Sequence, residues 1–268
     1  MLMQTLRPML VLGVVCLALA ACAPRAQRGT PAEPAAATAS WNSYLAYSEA
    51  QKARVAPYRL KASLRYANGG DGHRVEVLVW SNGNAPLRLD IMAGIGVTAA
   101  KLREDSDNFL AYVPNESRAY YHLGEQKALL SFGVPVPFSV SDLAALLQGR
   151  MAEVFGSGHQ PDATLVPDGG IAYSLQRGKA EGILEVSPEG LPTRWREQKE
   201  GGWDMVISYD DATPPLPRKF TITHGKGHQA ILLVKDREAP APFEPVQLGL
   251  ELPPDTAVLP LRELKRNQ

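Results

Sequence analysis

The stretch LKASLRYANGGDGHRVEVLVWSNGNAPLRLDIM, residues 60–92, decides the fold. Apolar and polar side chains alternate from Leu60 to Tyr66, which is the two-residue period of a strand with one buried face. The segments 68–72 and 81–84 are rich in Asn and Gly, which tolerate the positive φ that tight hairpins need. The stretch therefore predicts three antiparallel strands joined by two hairpins.

Short alternating runs continue along the chain and are separated by turn-rich links. They predict strands at 97–102, 109–113, 118–122, 171–176, 182–187, 193–198, 203–209, 219–224 and 229–235. Helical spacing predicts one helix over Trp41–Ala56, capped by Ser40, and a Leu-rich helix over Ser139–Gly149, while 156–170 is predicted to be a loop. About a dozen strands with two or three helices predict a mainly β fold, a large antiparallel sheet curved or rolled into an open barrel.

Composition narrows the function classes. The 268 residues carry 28 basic and 28 acidic side chains, and this balance argues against nucleic-acid binding, which needs clustered positive charge. Cys16 and Cys22 are the only cysteines, so the chain beyond them can form neither a disulfide nor a thiolate metal site. We expect a monomer with one folded domain over residues 41–268.

The first 22 residues have the pattern of an exported, lipid-modified protein. Arg7 precedes 13 apolar residues, Met9–Ala21, too few to span a hydrocarbon core of roughly 30 Å. The sequence Leu19-Ala20-Ala21-Cys22 resembles the bacterial lipobox, which implies removal of a signal peptide at 1–21 and acylation of Cys22. Ala23 stands where an Asp would signal inner-membrane retention in enteric-type bacteria, which implies an outer-membrane location.

The segment that follows Cys22 is predicted to be a tether. Residues 22–40 contain almost no large apolar side chain, and such segments stay flexible because they cannot bury enough surface to fold. A tether of this kind would let a folded body at 41–268 stand off a membrane and face the periplasm.

The order of these parts resembles the LolB family of the LolA/LolB lipoprotein-localisation superfamily. Members of the LolB family are outer-membrane lipoproteins that accept other lipoproteins from the soluble carrier LolA. The resemblance covers Trp41 to Lys235 and rests on the shared order of several pieces. They are the lipobox, the Trp41 helix, Val79-Trp80, the segment Leu89–Gly96, the Pro-x-Pro lead into the Leu-rich helix, and Trp203–Tyr209 running through Pro215-Leu216-Pro217 into Phe220–Ile222.

The resemblance implies a fold, a site and partners. The expected fold is an unclosed barrel of about eleven strands with helices over its mouth, and the expected site is a loop that inserts an apolar residue into the membrane. In this sequence the loop corresponds to Gly94-Ile95-Gly96, with Ile95 at its tip. The implied partners are the acyl chains of cargo lipoproteins, a LolA-like periplasmic carrier and the outer membrane, held through the lipid on Cys22. Neither an enzymatic activity nor a cofactor is implied.

A lipoprotein acceptor needs a hydrophobic cavity, because each CH₂ that leaves an apolar site for water costs about 0.8 kcal/mol. Strand alternation and the helix stripe select the residues that we expect to line it. They are Trp80, Leu87, Leu89, Ile91, Leu143, Leu146 and Leu147. A packed core predicts the same burial for each of them. Leu146 stands where the family commonly has Trp, and residues 248–261 extend past the usual end, so a carrier-like role stays open.

Three other hypotheses remain. The sequence Gly94-Ile-Gly-Val-Thr-Ala99, with Glu116 further on, matches the G-x-G-x-x-A dinucleotide fingerprint and would indicate an oxidoreductase. His224 and His228 flank a Gly-rich turn and offer two metal ligands. The third hypothesis is an envelope lipoprotein of the same fold that binds another lipid or another partner.

Overall fold

In the computed structural model, the described residues are 29–54, 56–70, 72–94, 96–106, 108–124, 127–176 and 178–266. The chain divides into two compact units, Met1–Thr30 and Pro31–Gln268, and the fold below is that of the second unit. Cys22 and Ile95 lie outside the described residues, so acylation and membrane insertion at these positions stay predictions.

Among the described residues, one sheet of fourteen strands forms the body of the second unit. The strands are β1 (Tyr58–Asn68), β2 (Gly72–Ser81), β3 (Leu87–Ala93), β4 (Val97–Glu104), β5 (Asn108–Val113), β6 (Arg118–Leu123), β7 (Gly158–Leu165), β8 (Ile171–Gln176), β9 (Ile183–Val186), β10 (Pro192–Arg196), β11 (Trp203–Tyr209), β12 (Pro217–His224), β13 (His228–Glu238) and β14 (Ala257–Pro260). Their order is β14-β6-β5-β4-β3-β2-β1-β13-β12-β11-β10-β9-β8-β7. The predicted large, open, curved antiparallel sheet is confirmed, but the expected count of about eleven strands is wrong.

All neighbouring strands are antiparallel except β14 and β6, which are parallel. The alternation seen in residues 60–92 places Leu60 opposite Val79 and Val79 opposite Leu89. We call the face that carries these three side chains the inner face, and the opposite one the outer face. The upper end of the sheet is the end with the β3–β4 turn, and the lower end is the end with the β2–β3 turn.

One long helix and several short ones accompany the sheet. They are α1 (Pro34–Lys52), α2 (Ala128–Ser131), α3 (Val140–Leu147), α4 (Ala152–Phe155) and α5 (Pro245–Leu248), with 3₁₀ turns at Pro114–Glu116 and Leu261–Arg266. Among the described residues, no helix is both long enough and apolar enough to cross a bilayer.

Helix α1 begins earlier than the sequence pattern predicts. It starts at Pro34 rather than Trp41, so 34–40 is helical rather than part of a flexible tether, and it ends at Lys52 rather than Ala56. Pro34 occupies the first helical turn, where its missing N–H is not needed, and the Glu33 carboxylate accepts a hydrogen bond from Ala36 N at 2.8 Å.

The two strands that the sequence pattern misses are the two edge strands. β7 lies within the predicted loop 156–170, and β14 lies beyond the last predicted strand. An edge strand pairs on one side only, and β7 contains Pro161 and few apolar residues, so neither strand shows the alternation of a half-buried central strand.

The segment 239–256 crosses the outer face, and we call it the C-terminal strap. Asn82 holds the start of the strap with two hydrogen bonds, one donated to Phe243 O at 2.9 Å and one accepted from Phe243 N at 2.7 Å. Arg103 donates to Leu248 O at 3.2 Å further along. The strap leads into β14, which adds to the sheet edge at β6.

Candidate functional site

The inner face brings together most of the predicted cavity residues. Leu87, Leu89 and Ile91 all point to this face of β3 and are buried. Leu89 lies opposite Val79 and Leu102, and it is only 1% exposed. The middle of the inner face is therefore a packed hydrophobic layer.

Helix α3 belongs to the same hydrophobic cluster as this layer. Ser139 caps it, because its hydroxyl accepts a hydrogen bond from Asp142 N at 3.0 Å. The apolar stripe of the helix is buried and consists of Leu143, Leu146 and Leu147. These three leucines pack into the core.

Open space remains on the inner face at the upper end of the sheet. A cleft of about 340 Å³ lies there against β2 to β5 and the residues after α2. Its lining is mostly apolar and includes Val75, Ile91, Ala93, Ala100, Val113 and Phe132. Of the predicted cavity residues, Ile91 reaches this cleft, whereas Leu89 does not. The volume is at the lower end of the range of 300–1,000 Å³ that is usual for small-molecule sites.

The rim of the upper cleft carries polar and aromatic groups. The rings of Tyr66 and His73 lie 5.1 Å apart, and burial raises the pKa of the Tyr66 hydroxyl. Glu116 accepts a hydrogen bond from Tyr120 Oη at 2.8 Å and lies 3.9 Å from Arg118 Nη1. The cleft thus has an apolar interior and a polar mouth, which suits an amphipathic ligand.

The turn that corresponds to the predicted insertion loop adjoins this cleft. Gly94 and Gly96 have φ values of +60° and +76°, which favour glycine at both positions. Ala93, which precedes the turn, lines the cleft, and Val97, which follows it, is 61% exposed. The turn therefore places an exposed apolar residue beside an apolar cleft.

Trp80 lies on the other side of the sheet. It pairs with Arg59 and Arg88, and its indole Nε1 donates a hydrogen bond to Gln247 O of the C-terminal strap at 3.0 Å. The Arg88 guanidinium stacks over the indole at 5.1 Å. The expectation that Trp80 lines the inner cavity is therefore wrong, because its position in β2 has the outward parity and the strap covers it.

A second apolar cavity lies between the strap and the outer face. Its volume is about 460 Å³, and Leu110, Phe243, Leu248 and Leu250 contribute apolar surface. No sequence pattern predicted it, because the one helix of the strap, α5, has only four residues and is too short to show a period.

The lower end of the inner face has a cavity of about 440 Å³ that Leu87 reaches and that polar and charged residues mainly surround. The Glu104 carboxylate accepts hydrogen bonds from Val140 N at 3.3 Å and Ser141 N at 3.0 Å, at the start of α3. Burial raises the pKa of Glu104. Arg150 is buried and pairs with Glu153 at 2.9 Å. No sequence motif pointed to Glu104, although its place two residues after Leu102 gives it the inward parity.

The structure bears on two of the alternative hypotheses. The turn at 94–96 joins antiparallel strands β3 and β4, whereas the dinucleotide fingerprint lies between a strand and a helix. His224 and His228 face each other across β12 and β13 with their ring centres 5.7 Å apart. Within the described ranges, no group of three or more His, Cys, Asp or Glu residues is arranged to hold a metal ion.

No protein-family model matches the sequence, and no curated protein matches it. Solved structures do match the fold. A LolA superfamily protein from Nitrosomonas europaea aligns with a TM-score of 0.52 and 13% identity over 78% of this chain and 97% of that chain. A DUF1329 family protein from Desulfovibrio piger aligns with a TM-score of 0.53 and 13% identity over 79% of this chain and 96% of that chain. At these identities the likeness concerns the fold alone, and this chain has a LolA-like fold.

Proposed function

We propose that this protein is an outer-membrane lipoprotein, anchored through Cys22, that binds the acyl chains of other lipoproteins. It takes them from a LolA-like periplasmic carrier and helps to insert them into the outer membrane. The upper cleft receives the acyl chain, and the Gly94-Ile95-Gly96 turn beside it, with Ile95 at the tip, contacts the bilayer. The protein performs no covalent chemistry in this role.

The observation that supports the proposal is the apolar cleft on the inner face, next to the 94–96 turn. Transfer of a single chain of about sixteen carbons from an apolar site into water costs on the order of 13 kcal/mol of free energy. A lipoprotein therefore needs a protein surface that covers its chains while it crosses the periplasm. The cleft offers such a surface and opens beside the segment that would meet the membrane.

The size of the cleft supports a second candidate function. About 340 Å³ is small for the two or three chains of a lipoprotein, since the middle of the inner face is filled by core side chains. A single acyl chain would fit this volume better than two or three chains would. Lipid that co-purifies with the full-length protein separates the two, because the second candidate predicts one bound chain and no transfer of lipoprotein.

The direct test fills the cleft. Ala93 is half-buried at its edge, so Ala93→Phe places a ring inside it with little disturbance of the core. We expect full-length protein carrying Ala93→Phe, embedded in liposomes, to receive little lipoprotein from a loaded carrier, and we expect lipoproteins to accumulate in the periplasm of cells that depend on it.

The matched control is Val206→Phe. Val206 is a 43% exposed apolar residue of β11, and it does not line the upper cleft. This variant should transfer lipoproteins like the unmodified protein. Normal transfer by Ala93→Phe, with the variant shown to be folded, would contradict the proposal.

A further inference from the structure

The chain that leaves the proposed anchor enters the body along an edge strand. Ala32 N donates a hydrogen bond to Ala163 O at 2.9 Å, and Pro31 forms a bridge with Thr164. Both contacts are on β7, the last strand of the sheet. The point at which the tether joins the body is therefore fixed near the lower end of β7.

Chain length limits how the body can stand on its membrane. Nine peptide steps separate Cys22 from Pro31, which span at most about 31 Å. Thr164 lies six residues along β7 from Gly158 at the upper end, a distance of at most about 20 Å, since the strand is irregular between His159 and Ala163. An extended tether can therefore run the length of β7 and still leave about 10 Å, so the upper end can reach the bilayer.

The upper end also carries an unusual pair of cations. Arg65 and Arg74 are directly opposite each other on β1 and β2, and both are exposed. No ion pair joins either of them to a described residue. Arg74 Nε donates a hydrogen bond to Ser63 Oγ at 3.4 Å, and the nearby Glu76 pairs with Lys61 at 3.0 Å. Like charges placed directly across two strands destabilise a sheet. A phosphate group that bound both guanidinium groups would remove this repulsion.

We infer that the upper end of the sheet is a docking surface for a bilayer with anionic headgroups. In this arrangement Arg65 and Arg74 bind lipid phosphates and exposed Val97 enters the membrane interface. The length of the 23–30 segment sets the largest distance between the lipid anchor and the point where the chain joins β7. The inference rests on the proposed lipid anchor at Cys22. It adds the orientation of the body, the headgroup contacts and a minimum tether length to the proposed function.

Fluorescent labels at single cysteines test the orientation, because the sequence after Cys22 contains no cysteine. Full-length protein with Val97→Cys, labelled with an environment-sensitive dye and reconstituted in phosphatidylethanolamine/phosphatidylglycerol vesicles, should show a dye in an apolar environment. Arg218→Cys at the lower end is the matched control, since Arg218 is also exposed, and its dye should stay in water. Equal signals from the two sites would overturn the inference.

Substitution of both arginines tests the contacts with lipid headgroups. Arg65→Gln with Arg74→Gln should lower the ratio of docked to undocked molecules about 30-fold, which corresponds to about 1 kcal/mol for each arginine near an anionic surface. The control Arg218→Gln should leave the ratio unchanged. An unchanged ratio in the double variant would remove the headgroup role.

Deletion of Pro24–Thr30 leaves two peptide steps between Cys22 and Pro31, or about 7 Å. The Val97 signal should then be lost, and seven Gly and Ser residues in place of the deleted segment should restore it. A signal that survives the deletion would overturn this limit on distance. Reaction of Cys22 itself with the dye would instead show that Cys22 carries no lipid. That result would contradict the proposed lipid anchor, whereas acyl binding in the upper cleft is tested separately by Ala93→Phe.

Discussion

The substitution Leu146→Ala tests whether α3 packs tightly against the hydrophobic core or loosely covers a cavity. Leu146 is 0% exposed and belongs to the main hydrophobic cluster. The change removes three carbons, which accounts for about 2.4 kcal/mol at about 0.8 kcal/mol for each group. The cavity left behind raises the expected loss of unfolding free energy to roughly 3–5 kcal/mol.

For a domain of this size, such a loss lowers the melting temperature by roughly 10 °C. Urea unfolding followed by circular dichroism measures the free energy, and Leu165→Ala is the matched control because Leu165 is 46% exposed. The control should cost less than about 1 kcal/mol. A loss below about 1 kcal/mol for Leu146→Ala would refute the conclusion that the inner face is filled beneath α3.

Substitutions at Glu104, Gly149 and Trp80 test three further contacts. Burial raises the pKa of Glu104 above 4.5, so folding favours the protonated carboxyl group. The stability that this group contributes is present below pH 4.5 and is lost as the pH rises through the raised pKa. Glu104→Gln should remove this pH dependence of the unfolding free energy, as measured by urea titrations. Gly149 has φ +78°, and a Cβ there would lie 2.6 Å from Tyr47 Oη. Gly149→Ala should therefore lower the free energy of unfolding by roughly 1–3 kcal/mol, whereas Gly69→Ala, with φ +71° and open space around it, should lower it less. Equal losses of unfolding free energy would show that the Tyr47 contact is unimportant. Trp80→Phe removes the hydrogen bond to Gln247 O and should lower the free energy of unfolding by about 0.5–1.5 kcal/mol. The strap should then be cleaved faster by a protease, while acyl binding stays unchanged. Reduced acyl binding would show that Trp80 does contribute to the acyl-binding site.

Local periodicity predicts the central strands well. Each hairpin between 60 and 92 pairs as expected, because alternation there reports burial of one face and the Asn/Gly segments fit tight turns. The edge strands β7 and β14 lack that signal because solvent or loops cover much of them. The early start of α1 had a local signal in Glu33-Pro34, a capping residue followed by proline.

The candidate site was predictable only in part. Alternation selects the inner face, so Leu87, Leu89 and Ile91 are correctly placed on it. Whether a residue on that face meets core or open space depends on how far α3 and the residues after α2 extend over the sheet. That is a tertiary property, and it explains why Ile91 reaches the upper cleft while Leu89 is covered. The one helix of the strap that covers Trp80 is too short to show a period.

The central claim is that the upper cleft on the inner face binds acyl chains. The most direct measurement is photo-crosslinking of the full-length protein to a lipoprotein whose acyl chain carries a diazirine, with the modified residues located by mass spectrometry. We predict labelling of residues that line the upper cleft, with Ala93 and Val113 among them. Labelling around Leu110 and Phe243 in the outer cavity, or no labelling of the upper cleft, would contradict the account.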